Sequence, residues 1–321
     1  MINKRICVIG AGNWGKNHVQ TLHGLGALAG VVETDQGNKS KIELNYPDIK
    51  IFNNITNAIE YGFDGFTIAT PAETHFEIGY QLIEAGFPVL IEKPLTLNSK
   101  DAKILIKEAK KRNITLMVGH LLLFHPAIQK IKALVKSCRI GKLQYIYSNR
   151  LNLGTIRTEE NVFWSFAPHD ISIFQYLIES DPIDISSRGA AYVQSNLYDT
   201  TMTTLTYKEN IHGHIYVSWL HPFKEHRLVV VGDNGMIRFE DSAENKPLMI
   251  YDKGVNWERG KPVKRDGPTE MIDYSPGLPL TMEMEYFLEH LSKPPSIADG
   301  NNGLSVVKIL EQATNSMEKR M

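Results

Sequence analysis

The chain has 321 residues, enough for one oversized domain or two ordinary ones, each able to bury a proper core. Lys plus Arg number 35 against 36 for Asp plus Glu, which excludes a global electrostatic pull toward nucleic acid or an anionic membrane. Two cysteines, Cys7 and Cys138, give no disulfide framework, the N-terminal Met1-Ile-Asn-Lys-Arg5 carries no signal-peptide pattern, and no apolar run reaches the ~20 residues that span a bilayer. A soluble protein of a reducing compartment, the cytoplasm, is expected.

The chain opens with an apolar strand, Arg5–Ile9, running directly into Gly10-Ala-Gly12-Asn13-Trp14-Gly15, with a helix-compatible run from Asn13. In a G-x-G-x-x-G turn the first glycine allows the tight bend and the second lets a pyrophosphate approach bare backbone. The third lets helix and strand pack closely, the helix N-terminus facing the phosphates. Glycines also mark ordinary turns, but here a second strand follows, Ala29–Glu33, and it ends in a carboxylate at the distance where ribose hydroxyls are met. Glu33 accepts hydrogen bonds from a ribose diol and would repel the extra phosphate of NADP. No Arg or Lys follows it immediately, so NAD is the expected cofactor. Asp35 reads as a loop charge, with a second ribose ligand as the alternative.

Further along come a polar helix near Ser40–Asn45, a strand at Ile49–Phe52, a helix at Ile55–Tyr61 and a strand at Gly65–Thr70. A helix at Glu73–Ala85 is closed by Gly86, followed by strand Pro88–Glu92, helix Ser99–Arg112 and strand Thr115–Gly119. Strands separated by helical stretches imply right-handed crossovers and a parallel sheet. Ligands bind at the carboxyl ends of such strands, where Thr70-Pro71, Glu92-Lys93-Pro94 and Gly119-His120 fall. A lysine there, beside the cationic ring of an oxidised nicotinamide, is suited to hydrogen-bond or deprotonate a hydroxyl, and Lys93 is the first catalytic candidate. A surface charge is the plainer reading of any strand-end lysine.

The pattern changes after His120: a helix at Pro126–Cys138, an alternating strand at Leu143–Arg150, and a helix at His169–Glu179. Strands follow at Thr201–Tyr207, Ile211–Trp219, Arg227–Val231 and Met236–Phe239, the last two joined by the turn Gly232-Asp-Asn-Gly235. Residues 252–280, with four prolines, read as a long surface loop, and a final helix covers Gly303–Lys319. The expected fold is α/β: an N-terminal NAD-binding Rossmann domain with a parallel sheet, residues 1–121, and a C-terminal substrate-binding α+β domain with an open, mostly antiparallel sheet, residues 122–321. Leu205, Tyr207, Ile215, Val217 and Trp219 would supply an apolar oligomerisation face on that sheet, or ordinary core. His212, His214, His221 and His226 lack a cysteine or paired carboxylate to complete a zinc site, and no metal is expected.

With Gly10-Ala-Gly12-Asn-Trp-Gly15, Ala69-Thr70-Pro71 with His75, Glu92-Lys93-Pro94, and Gly119-His120 running to Phe124-His125-Pro126, the chain resembles the Gfo/Idh/MocA family of nicotinamide-dependent sugar oxidoreductases over nearly its whole length. The resemblance implies cofactor contacts from Gly10, Gly12, Asn13, Trp14, Gly15, Glu33, Thr70, Pro71, His75, Glu92, Lys93 and His120. It implies that Lys93 contacts the reacting hydroxyl and that His169, in Phe163-Trp-Ser165-Phe-Ala-Pro-His169-Asp170, is its acid–base partner. His169 is expected at a helix start, where a neutral imidazole is favoured; capping of backbone groups is the alternative. Ser165 stands where many members have Asp or Asn, and Asp170 either orients His169 or serves as a helix-start carboxylate. His120 faces either the cofactor or an interdomain seam.

The stretch Arg150-Leu-Asn152-Leu-Gly-Thr-Ile-Arg157, with Val217-Ser-Trp219-Leu-His221, is similar to the subgroup that oxidises UDP-N-acetylated sugars at C3. That likeness implies an enzyme for UDP-N-acetylglucosamine or its uronic acid, acting beside a PLP-dependent aminotransferase that makes 3-amino sugars for lipopolysaccharide, and the open sheet face makes a homo-oligomer the expected assembly. Arg150, Asn152, Arg157, Ser165, His169 and Trp219, with Lys93, would bind the sugar nucleotide. Arg150 and Arg157 would fork onto its anionic part, with ion pairing to Glu159 or Glu160 as the alternative, and Trp219 would stack on a ring or pack in the sheet. Which of Lys93 and His169 is the base stays open. Another keto-sugar or polyol reaction, or a non-catalytic NAD(H) sensor, are the rival readings.

Overall fold

The computed structural model describes residues 4–319, which divide into two compact units. The first holds residues up to Phe124 together with Gly277–Lys308, and the second holds His125–Pro276 and the residues from Ile309. The expected single boundary after residue 121 therefore lacks a return: a C-terminal segment joins the first unit.

In the first unit β1 (Ile6–Ile9), α1 (Gly15–Gly24), β2 (Leu28–Val32), α2 (Gln36–Asn45), β3 (Lys50–Phe52), α3 (Ile55–Tyr61), β4 (Gly65–Ile68), α4 (His75–Glu84), β5 (Val89–Glu92), α5 (Ser99–Arg112) and β6 (Leu116–Gly119) follow in order. The six strands form one parallel sheet, β3-β2-β1-β4-β5-β6, the arrangement of a Rossmann unit. β1, β4, β5 and β6 are buried at every position, as apolar runs covered on both faces must be. Local chemistry sets the helix starts: Asp35, Asn54 and Asn98 cap α2, α3 and α5 by accepting a backbone N–H three residues on.

The second unit contains α6 (Pro126–Lys136), β7 (Leu143–Leu151), α7 (Val162–Ile178), β8 (Asp184–Ala190), β9 (Thr200–Thr206), β10 (His212–Ser218), β11 (Glu225–Gly232), β12 (Met236–Glu240), β13 (Leu248–Glu258) and β14 (Lys261–Met271). Its eight strands run β14-β13-β12-β11-β7-β10-β9-β8, antiparallel except for β7 beside β10. The chain ends with α8 (Pro279–Glu289) and α9 (Gly300–Glu318). Among the described residues no helix is long and apolar enough to cross a membrane.

Four points beyond or between the expectations are decided here. α7 begins at Val162, two turns before His169, because Asn161 caps Phe163 and Trp164 and the helix tolerates Pro168 in its interior. β8 had no expected counterpart. The expected loop at 252–280 is largely the β13–β14 ribbon, with Pro262 and Pro268 on the edge strand, where a missing amide costs no ladder bond. Finally, Leu205, Tyr207, Ile215, Val217 and Trp219 are at most 1% exposed and belong to the core. The outward face carries the opposite set of alternating positions, among them Tyr147, Met202, Tyr216 and Val229.

Candidate active site

The glycine-rich turn is built as its spacing demands. Gly10 has φ +83°, and a Cβ there would lie 2.8 Å from the Thr70 side chain. A Cβ on Gly15 would lie 1.9 Å from the Gly10 carbonyl oxygen, so α1 packs against the turn only because both residues lack side chains. Gly12 differs: nothing lies within 4 Å of its Cβ position, which leaves bare backbone open to a pyrophosphate at the start of α1. Glu33, buried at the end of β2, accepts from the Ala11 N–H at 2.8 Å and so ties the turn to the neighbouring strand. Its oxygens also accept from Thr34 N, Asp35 N and, at 3.3 Å, Asn38 Nδ2. The long Asn38 bond is the one that a ribose hydroxyl would replace. The residues present therefore fit NAD. Asp35 is the N-cap of α2, accepting from Asn38 N.

Next along the same sheet edge, Thr70 Oγ1 meets Thr74 Oγ1 at 2.7 Å, and Pro71 starts the short turn Ala72–Thr74. His75 is buried, with Nδ1 2.8 Å from the Pro94 carbonyl and Nε2 3.0 Å from the Thr70 carbonyl. The ring bridges the β4 and β5 strand ends, and burial lowers its pKa, so as a neutral imidazole it donates its one N–H to one of the two carbonyls. Lys93, half-buried, follows Glu92 at the carboxyl end of β5, and the Lys93–Pro94 peptide is cis. Glu92 Oε1 accepts from the Trp14 indole at 2.7 Å and faces His18 Nε2 at 2.9 Å, while Oε2 accepts from Lys93 N at 3.1 Å. Burial pushes this carboxyl up, but His18, Trp14 and the charge of Lys93 outweigh it and hold the pKa below the ordinary value. His120 is fully buried, which pushes its pKa down to about 4 and keeps it neutral at pH 7.

In the second unit His169 lies in the middle of α7, so the expected helix-start dipole does not act on it. Ser165 is buried one turn earlier on the same helix face. The Asp170 carboxylate takes a two-pronged bond from Arg150, Nε to Oδ2 at 2.8 Å and NH2 to Oδ1 at 3.1 Å. The Arg150 fork, expected on a substrate anion, is committed to that pair, with His226 Nδ1 3.4 Å from NH1. Trp219 is likewise corrected: it is fully buried, and its indole donates to Asp199, so it is a core strut and not a stacking surface. Arg157 is exposed and paired with Glu160 at 3.3 Å. Asn152 follows β7, its N–H on the Ser218 carbonyl at 3.1 Å.

A left-handed first glycine, an open second one, and a carboxylate at the end of β2 define a dinucleotide-binding unit, and the strand-end lysine gives it a polar group for redox chemistry. Comparison with known proteins agrees. A model described as "Oxidoreductase family, NAD-binding Rossmann fold" matches residues 4–120, and one for the GFO/IDH/MocA C-terminal domain matches residues 128–238. The chain belongs to the GFO/IDH/MocA family and is an NAD-dependent oxidoreductase.

Among its relatives, UDP-N-acetylglucosamine 3-dehydrogenase of Acidithiobacillus ferrooxidans is 27% identical over 99% of this chain and 98% of that protein. The solved structure of that enzyme superposes with TM-score 0.87, at 26% identity and 99% coverage of both chains. Inositol 2-dehydrogenase 1 of Saccharopolyspora erythraea is 27% identical over 63% of each. The WlbA dehydrogenase of Bordetella pertussis, in complex with NADH and UDP-GlcNAcA, shares the fold at 17% identity, TM-score 0.80, covering 99% of this chain and 97% of that one.

Trp14, His18 and Glu283 are the site-region residues that sequence reasoning missed or read differently. Trp14 and His18 stand four apart at the start of α1, and that spacing was the one available signal.

Proposed function

We propose that the chain is an NAD-dependent sugar dehydrogenase that oxidises the C3 hydroxyl of a UDP-N-acetylhexosamine, UDP-N-acetylglucosamine or its uronic acid, to the 3-keto sugar. The observation that carries this reading is the end-to-end likeness to a UDP-N-acetylglucosamine 3-dehydrogenase at 27% identity, where an inositol dehydrogenase of equal identity matches 63% of the chain and one that matches 98% of it is 22% identical.

Bound NAD supplies the hydride acceptor. Lys93 presents its ammonium group to the substrate oxygen and stabilises the alkoxide as charge develops. His169 removes the hydroxyl proton. Gly10, Gly12, Asn13 and Gly15 hold the pyrophosphate, and Glu33 takes the ribose diol. Thr70, Pro71 and His120 complete the cofactor side. Arg157 holds the diphosphate or C6 carboxylate, since its exposed pair with Glu160 is weak, of the order of 0–1 kcal/mol, and easily exchanged. Asn152 and Ser165 complete the sugar contacts. The enzyme acts in the cytoplasm and feeds a PLP-dependent aminotransferase in 3-amino sugar synthesis for lipopolysaccharide. It assembles as a homo-oligomer through the outward sheet face, and a monomer in sedimentation velocity would contradict that assembly.

The test is NAD-dependent turnover of the two sugars with an aminotransferase and glutamate present to draw off the keto product. A 3-amino sugar from one of them, detected by mass spectrometry, is the expected result; no product from either, with NAD still bound, overturns the reading.

A further inference from the structure

Glu92 is the point where three parts of the first unit meet. Its Oε1 joins the indole of Trp14, in the glycine-rich turn, to the imidazole of His18 on α1, while Oε2 accepts the backbone N–H of Lys93. His18 is fully buried, so its ring reaches no solvent that could replace this contact. The neighbouring strand makes room: Gly119 is paired with Glu92, and a Cβ on Gly119 would lie 2.8 Å from the carboxyl carbon. Trp14 is 40% exposed at the start of α1, where the turn would receive phosphates. Behind the site, Glu283 is fully buried on α8, which packs on α1, and burial, with the Glu92 charge, raises its pKa. The Glu92 carboxylate therefore has its donors on the Trp14, His18 and Lys93 side.

We propose that Trp14 and His18 are positioning residues for Lys93, acting through Glu92 as a clasp between the glycine-rich turn and the lysine at the end of β5. The inference rests on the reading above, in which Lys93 meets the reacting hydroxyl. In the clasp, the carboxylate sets the backbone of Lys93 relative to the turn that holds the cofactor. Losing either donor leaves Lys93 present but misplaced, and small misplacements of a reacting group are costly in rate.

Three variants of the full chain test this. His18→Leu removes one donor, His18→Gln restores an N–H at the place of Nε2, and Trp14→Phe keeps the ring but removes the indole N–H. The first readout needs no sugar: the acetylation rate of Lys93 by acetic anhydride, measured by mass spectrometry against the exposed Lys111. It should change at least threefold in His18→Leu and Trp14→Phe and return toward wild type in His18→Gln. The second is kinetic: kcat should fall about tenfold in His18→Leu and Trp14→Phe, with the NADH dissociation constant of His18→Leu held within twofold. Unchanged Lys93 labelling in variants that still bind NADH overturns the clasp, as does lost NADH affinity with kcat intact. Should His18→Leu not fold, Trp14→Phe, a change at the surface, carries the same comparison. Altered labelling in an enzyme that turns over neither sugar would uphold the clasp and reject only the substrate.

Discussion

Glu283 is a carboxylic acid with neither oxygen hydrogen-bonded among the described residues and no exposure. Burial, then the nearby Glu92 charge, raises its pKa well above the ordinary carboxylate range. The folded state thus holds a proton that the unfolded chain releases. The associated penalty is absent below the unfolded pKa, grows as pH rises from there, and is complete above the folded pKa. Glu283→Met should therefore raise Tm at pH 7.5 by roughly 2–4 °C, the shift for ~1 kcal/mol in a large domain, and the gain should shrink toward pH 4.5. Thermal melts across that range check it; a Tm that falls at pH 7.5, or a gain independent of pH, would contradict it. At this scale Gly10, Gly12, Gly15, Glu33 and Lys93 were legible because their chemistry is encoded in local spacing. The partners of Glu92 were not, since Trp14 and His18 lie 78 and 74 residues away and only the folded sheet brings them together.

Elements were legible where cap and periodicity agreed, as in α3 and α5, each started by an asparagine cap. They were misread at α7, expected to start at His169 and found to start at Val162. Pro168 sits inside α7, whose burial of Val162, Phe163, Ile171 and Phe174 outweighs the ~3 kcal/mol that an interior proline costs. On the helix that starts at Val162, Asp170 meets Arg150 on β7. That pair pins α7 to the sheet and is nearly fully buried, with side-chain exposures of 11% and 3%. Arg150→Ala should lower stability by ~3–5 kcal/mol, since it leaves the Asp170 charge buried and alone. An apolar double replacement, Arg150→Met with Asp170→Leu, should recover most of that loss in urea unfolding. A loss under ~1 kcal/mol for the single change would show the pair to be dispensable.

For the whole molecule, the alternation of strands and helices followed by a strand-rich half made the two-unit plan readable. The return of Gly277–Lys308 to the first unit was not, because α8 carries no side-chain cap at its start and follows a proline-containing stretch. That return supplies Glu283 to the Rossmann unit, so a distant segment completes the surroundings of Glu92. The near-equal charge totals fit a small-molecule enzyme, whose chemistry rests on a few strand-end groups and not on a long-range field. Hydride transfer from C3 of a UDP-N-acetylhexosamine is the central claim, and the direct measurement uses C3-deuterated UDP-N-acetylglucosamine and its uronic acid with NAD. The account predicts deuterium in the reduced cofactor from one of the two, with the rate falling ~10²–10⁴-fold in Lys93→Ala and His169→Ala while NAD still binds. Reduced cofactor formed without deuterium, or none from either sugar in an enzyme that binds NAD, would contradict it.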